Sequence, residues 1–532
     1  LPRLADTVAT ALEQGLRRVS TLHIRPVARS ALRVAILALL GMTPGGRAAA
    51  TVPGATDILA PSLVAPAGHG AWRKIVTGRL RNGVRYAILP RAGNEPGVGL
   101  LMRNAGGFIA ERRPGERGLA HLIEHLVFLS PTERAADDLR HGLRIGLPLT
   151  LNAPSAGSTS WRESNYYLST RTGSSRDLDT LLALFREFAS ELTLRADAVD
   201  IGRGEVVREM ADKKLGNQIY GDYIAAVAPG SPNDVIDAQN SDDVPTASIE
   251  TIRGLYHRLY RPEAMMIVVV GDVDAARTKA LIRKRFGSWR RSLPGPAPMP
   301  APKLRPERIR PISFSALPQG RRTAIISVVM PTPTPSPARE QQARDTLMDL
   351  LAARGVNDRL AASQPDSPPG KTGIFIENGE QGHRQIMLWD NFAAGQWQSA
   401  VASLRKTTCD LAAAGFTEVE WAAAKRNTIS DLDARVRTIA AVPNVELAKD
   451  LSHAMADGRT LIAPDELRRY ALRLLPTIGA EAGSGWWRRQ WRASVEHFRV
   501  EAPELAPIAD PEAAIRATAD GAVEASACKV RG

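Results

Sequence analysis

Within GLAHLIEHLVF, residues 118–128, two histidines stand four positions apart with an acid between them: His121, Glu124 and His125. On a helix, positions three and four apart share a face, so the three side chains project together. Two imidazoles at that spacing can take adjacent corners of a zinc tetrahedron. A carboxylate beside them can hold and deprotonate a metal-activated water, which makes Glu124 the base and hydrolysis the chemistry. The pattern is specific: with 9 histidines in 532 residues, a chance His-x-x-Glu-His is expected on the order of 0.01 times per chain. His23, His69, His141, His257, His383, His453 and His497 form no comparable pair. A catalytic zinc ordinarily has three protein ligands and one open position. The stretch GEVVREMADKK offers two acids for the third, Glu205 and Glu209, one turn apart on one helical face. One can ligate while the other hydrogen-bonds to a ligand, and spacing alone does not choose between them.

The elements that must position these residues are legible around them. KIVTGRLRNGVRYAILP places two β-rich runs either side of Asn82-Gly83, the strongest short hairpin signal. GVGLLMRNAGG reads as an apolar strand, and a helix carrying the histidines runs from about Gly118 to Leu129, closed by Ser130-Pro131. STSWRESNYYLSTR alternates like a strand; DLDTLLALFREFASELTL and AVDIGRGEVVREMADKKL have apolar residues at helical spacing. MMIVVVGDVD is a buried strand closed by Gly271-Asp272. The mixture predicts an α+β sandwich, not a doubly wound parallel sheet. Residues 292–311 are dense in proline and read as a linker. Beyond it the pattern partly recurs: RRTAIISVVMPTP and RQIMLWDNF as strands, AREQQARDTLMDLLAARGVNDRLAA as a long helix, and further helices over Gln396–Ala414, Thr417–Val436 and Val445–Ala456. The expected layout is a targeting segment (1–50), a spacer (51–70), a first module with the metal site (71–291), the linker (292–311), a second module (312–500) and a tail or severed linker (501–532).

Composition sets the outer limits. Hydrophobic residues make up 44% of the chain and charged residues 23%, the balance of a core-forming protein. The formal net charge is +13. Residues 1–50 carry seven arginines against Asp6 and Glu13, so +5 of that charge sits there and +8 is dispersed over the rest. Dispersed arginine does not make a phosphate-tracking groove, which argues against a nucleic-acid partner. Arg25, Arg29 and Arg33 precede an apolar run from Val34 to Met42, a Pro/Gly break and Ala48–Ala50. Those are the ingredients of a secretory signal, and the run is too short to span a bilayer, so no integral membrane segment is expected in the mature chain. The two cysteines, Cys409 and Cys528, have no metal-ligand spacing and are too few for a disulfide framework.

Several stretches, in order over roughly residues 72–440, resemble the pitrilysin/insulinase family of inverzincin metallopeptidases, which includes the mitochondrial processing peptidase. LRNGVRYAILP resembles the family's opening strand, GLAHLIEHLVF its zinc helix and VVREM the segment with the third ligand. LYRPEAMMIVVVGDVD and LIRKRFGSW resemble the close of its first module; LLAARGVNDRLAA and AAGFTEVEWAAAKR resemble helices of its second. The resemblance implies two tandem homologous α/β-sandwich modules and one zinc ion per chain, held by His121, His125 and Glu209 with Glu124 as general base. Glu205 is then a candidate to support a ligand. The stretch with Ser158, Thr159 and Ser160 falls near the family's substrate-binding edge strand.

The implied function is a zinc endopeptidase cleaving short or unfolded peptides held in extended form. The alternative is a non-catalytic or partner-dependent subunit of such a complex. Family members enclose the site in a chamber of two halves, so a homodimer or a complementary second half is implied as partner. With the signal, the location expected is the periplasm of a Gram-negative bacterium. Two departures stand out. The 84 positions from His125 to Glu209 are longer than the family pattern, predicting an insertion near LNAPSAG or between SSR and RADAV. Seven positions before Glu209, where the family tends to carry a second acid, stands Gly202.

Overall fold

A computed structural model describes residues 75–523 apart from 92–95, 134–156, 171, 238–239, 292–298, 319–320, 365–367, 369, 379–381 and 493–494. The targeting segment, the spacer and residues 151–156 of LNAPSAG lie outside the described residues.

Asn82-Gly83 makes the expected turn: Gly83 takes φ +105, and Leu80 N donates to Val84 O at 2.8 Å. It joins β1 (Val76–Arg79) to β2 (Arg85–Pro90) in antiparallel register, Val76 opposite Ile88. β3 (Val98–Ala105), β4 (Gly157–Thr159), β5 (Glu163–Thr170) and β6 (Met265–Gly271) complete a sheet of order β1-β2-β6-β3-β5-β4. The run 158–171, which alternates like one strand, is two strands. The chain turns back at 160–162, so β4 pairs antiparallel with β5 and forms the edge.

The helices of this module are α1 (Leu119–Leu129), α2 (Ser175–Ser190), α3 (Ala196–Val227), the single turn α4 (Pro232–Val235), α5 (Ile249–Leu259) and α6 (Ala275–Phe286), and all but α4 contribute to one core against a face of the sheet. Leu122, Ile123 and Leu126 of α1 join Ile88, Leu100, Met102 and Tyr166 of the sheet in one core. Of the two places where an insertion was expected, 174–199 is filled by α2 and a short connection to α3.

The second module has β7 (Ile312–Ser315), β8 (Thr323–Pro331), β9 (Thr372–Asn378), β10 (His383–Asn391) and β11 (Glu496–Glu501), in the order β7-β11-β8-β10-β9. Its helices are α7 (Arg339–Ser363), α8 (Trp397–Ala413), α9 (Glu418–Thr438), α10 (Asn444–Ala456), α11 (Pro464–Leu474), α12 (Ala480–Arg492) and α13 (Pro511–Gly521). Two stretches differ from their sequence reading. The tail assigned to 501–532 is folded through α13, whose Ile515 and Ala519 are buried in the second core. Asp510 caps that helix, accepting from Ala513 N at 2.9 Å, and Pro511 fills its first position. The linker is not a free spacer over its C-terminal part either: Leu304 and Ile309 are buried against Ile224, Val227 and Ala228 of the first module.

Each half of the chain covers the other's sheet. The second face of the first sheet, Ala87, Leu89, Leu101, Val268 and Val270, is buried under Leu447, Ala448 and Leu451 of α10. Conversely, Tyr223 at the far end of α3 bonds Ser327 Oγ at 3.0 Å and reaches Gln385 on the second sheet. Among the described residues no helix is long and apolar enough to cross a membrane.

Candidate active site

The site stands on α1 and α3. α1 begins at Gly118, whose φ of +83 and contact with Ser241 leave no place for a side chain. Its first turn carries no acid of its own; instead the Glu111 carboxylate accepts from Gly118 N at 3.0 Å and Ala120 N at 2.7 Å. Burial pushes the Glu111 carboxyl up to about 8, against those two backbone bonds. The apolar residues Leu122, Ile123, Leu126 and Val127 turn to the core, which leaves His121, Glu124 and His125 half-buried on the polar stripe.

α3 packs against α1 and supplies Glu209 and Glu205. His121 Nε2 and His125 Nε2 are 3.3 Å apart, and Glu209 Oε2 lies 3.6 Å from the first and 3.3 Å from the second. The other Glu209 oxygen pairs with Lys213. Glu205 Oε2 sits 3.0 Å from His125 Nδ1, so Nδ1–H donates to the carboxylate and the lone pair of Nε2 faces the three-atom cluster. Glu209 thus faces both histidines, and Glu205 stands behind one. Hydrogen bonds from His121 first, then His125, hold the Glu209 carboxyl far below the usual carboxylate range. Burial lowers the His125 pKa, but its bonds to Glu209 and Glu205 outweigh this and raise it overall.

Zinc bonds of about 2.0–2.1 Å to tetrahedral corners put neighbouring donor atoms about 3.3–3.4 Å apart. The triangle of 3.3, 3.3 and 3.6 Å has that size, its donors are two imidazoles and a carboxylate, and no other group of three or more candidate ligands gathers among the described residues. The residues present fit a zinc ion with a fourth corner open.

Glu124 reaches β4 while staying close enough to His121, His125 and Glu209 for their charges to act on it. Its Oε2 accepts the Thr159 hydroxyl at 2.7 Å, and a Cβ on Gly157 would come within 2.6 Å of its Oε1. Burial raises its carboxyl pKa, with His121 and the Thr159 bond acting in the opposite direction. Of the three residues expected on a substrate edge strand, Thr159 is tied to Glu124. Ser158 turns to the opposite face, 2.9 Å from Tyr167 OH. Ser160 falls just past β4, with its carbonyl accepting Phe108 N at 3.1 Å. Sequence reasoning missed Glu111, Lys213 and the Thr159 bond. The last had a faint signal, since residues 157 and 159 of a strand share one face.

Comparisons with known proteins place this geometry. Residues 106–223 match the family model described as insulinase (peptidase family M16), and residues 246–365 match the peptidase M16 inactive domain. Both matches are to models of the insulinase, or M16, peptidase family. It is 23% identical over 452 residues to the probable zinc protease PqqL of Escherichia coli, covering 81% of this chain and 46% of that protein. It is 29% identical over 195 residues to an uncharacterized zinc protease of Mycobacterium bovis, covering 36% of this chain and 41% of that one. The crystal structure of the periplasmic protease PqqL from Escherichia coli superposes with a TM-score of 0.73 at 20% identity, covering 85% of this chain and 50% of that one. Its first half alone, solved separately, is covered to 97% at the same TM-score. The chain spans about half the length of these curated relatives, or less.

Proposed function

We propose that this chain is the zinc-bearing half of a metalloendopeptidase that cleaves short or unfolded peptides. The observation that carries the reading is the donor triangle, with the Glu124 carboxylate one residue from a ligand and under the influence of all three donors. His121, His125 and Glu209 would hold one zinc. Zinc, when bound, supplies Lewis acidity that acidifies water and polarises a carbonyl. Glu124 takes the proton of the attacking water and hands it to the leaving amine. Glu205 fixes the tautomer and ring orientation of His125 through Nδ1. Strand β4 pairs only with β5 among the described residues, so its outer edge offers backbone groups to a peptide in extended form, a grip indifferent to side chains.

A homodimer or a complementary second half closes the chamber; the similarity to the separately solved first half of the Escherichia coli protease supports a two-half arrangement. Export to the periplasm is supported by the basic-apolar-small order of residues 25–50 and by the periplasmic description of that relative. The test is zinc content and cleavage of an unstructured peptide by the parent and by Glu124→Gln. Both should bind about one zinc, and only the parent should cleave, with chelator-sensitive activity. Zinc in both with cleavage in neither assigns the chain to the partner-dependent reading; zinc in neither sinks the site.

A further inference from the structure

Behind Glu124 lies a row of hydroxyls that the hydrolytic scheme above does not use. Thr159 Oγ1 is 2.7 Å from Glu124 Oε2 and 3.3 Å from Ser164 Oγ, its partner across the β4–β5 ladder. Ser164 is bonded to the Tyr260 hydroxyl, and Tyr260 to that of Tyr166. Ser164, Tyr260 and Tyr166 are all buried. Each hydroxyl owns one proton. A carboxylate accepts only, so Thr159 gives its proton to Glu124. Ser164 Oγ lies on the other side of Thr159 Oγ1, and beyond it the Tyr260 and Tyr166 hydroxyls share a hydrogen bond. The Thr159 donor points toward the carboxylate, with the buried Ser164, Tyr260 and Tyr166 hydroxyls packed behind it.

On the opposite flank of the carboxylate stands Gly157. Gly157 shares the face of β4 with Thr159, and a side chain there would meet Oε1 at 2.6 Å and Cγ at 2.9 Å. The two oxygens of Glu124 are therefore unlike: Oε2 is tethered, while Oε1 lies against Gly157, which has no side chain to cover or bind it.

We propose that β4 divides the Glu124 carboxylate into an anchored oxygen, Oε2, and a working oxygen, Oε1. Thr159 and Gly157 are positioning residues, and Ser164, Tyr260 and Tyr166 orient the Thr159 hydroxyl. The inference rests on Glu124 as the base. Losing the tether leaves the carboxylate free to rotate, which lowers kcat and leaves substrate binding alone.

The experiment compares the parent chain with Glu124→Gln, Thr159→Val, Thr159→Ser and Tyr260→Phe. It reads kcat and KM on an unstructured peptide, zinc affinity by chelator competition, and the infrared carboxylate band of the zinc-free protein that Glu124→Gln removes. Thr159→Val should lower kcat roughly 10- to 100-fold, with KM and zinc affinity within about twofold, and should shift the infrared band. Thr159→Ser should restore both, and Tyr260→Phe should fall between. If Glu124→Gln cleaves like the parent, the base assignment fails and takes this inference with it. If Glu124→Gln is inactive but Thr159→Val keeps its kcat and its band, the base stands and the tether is wrong. A fall in kcat that comes with lost zinc and is not restored by serine makes Thr159 merely structural and overturns the proposal. The infrared comparison decides the matter even if no peptide is turned over.

Discussion

Glu205 is worth following because it touches no metal ligand atom directly, yet controls one. Its carboxylate accepts from His125 Nδ1 at 3.0 Å, which sharpens the basicity of Nε2 on the far side of the ring. Supporting carboxylates of this kind are typically worth 10- to 100-fold in metal affinity. Glu205→Ala should therefore weaken zinc binding by about that factor, and Glu209→Ala by much more, since it removes a donor; chelator competition on each variant reads both. Equal losses would mean the two acids share the metal and the assignment between them is wrong. At this scale all five residues, His121, Glu124, His125, Glu205 and Glu209, could be named from the sequence, because His-x-x-Glu-His is confined to one helical turn and a half and the two acids to one turn of another. The sequence could not rank Glu205 against Glu209, because both lie on one face and the choice depends on how α3 is rolled against α1. Nor could it show the tether on Glu124, which comes from a strand 35 residues further on.

The roll of α3 is set by packing, and Gly202 is where it is set. A Cβ on Gly202 would lie 3.1 Å from Leu126 Cδ2, 3.2 Å from Leu122 Cδ1 and 3.5 Å from Leu129 Cδ1, so the glycine lets α3 sit close on the apolar face of α1. The family's second acid, expected at this position, has no room and no polar partner there; Glu205, three residues on, meets His125 instead. Gly202→Glu should accordingly not strengthen the site. It would bury a carboxylate among leucines, lowering stability by about 3 kcal/mol or more and weakening zinc binding as the helices separate, to be read from the denaturant midpoint and chelator competition. A variant as stable as the parent would show that the helices are not in such contact. Element types were largely legible where periodicity was strong, as in β6 and α2. They were misread where the signal was local or sparse. The break between β4 and β5 is a turn within a run that alternates throughout, and α13 buries little beyond Ile515 and Ala519, too few apolar residues to register as a face.

For the whole molecule, the exchange of cover between the halves matters more than the count of modules. α10 lies on the first sheet and the end of α3 on the second, so the joint between them is a buried part of both cores. His497 of β11 sits in that joint, its ring 5.9 Å from that of Tyr223 on α3. Its Nδ1–H donates to Arg310 O at 2.6 Å, which leaves Nε2 to accept the Ser313 hydroxyl at 3.0 Å. Arg499 in turn donates to Ser313 Oγ at 3.3 Å, so a second proton on the ring would turn the Ser313 hydroxyl and face a guanidinium nearby. Burial, then the charges of Arg499 and Arg310, push the imidazole down to about 4, with the Arg310 carbonyl alone opposing. The unfolded chain, with an ordinary histidine near 6.5, takes up this proton first as pH falls. The contribution of His497 is thus complete above about pH 6.5 and is lost progressively as pH drops toward 4. At pH 5 the loss from this one residue amounts to about 2 kcal/mol relative to pH 7.5. His497→Gln should be less stable than the parent at pH 7.5 but lose about 2 kcal/mol less between pH 7.5 and pH 5, the carboxylates common to both cancelling in the comparison. Urea midpoints of the two proteins at those two pH values measure it. Parallel losses would mean that His497 is protonated in the folded chain and that the joint between the halves is open to water.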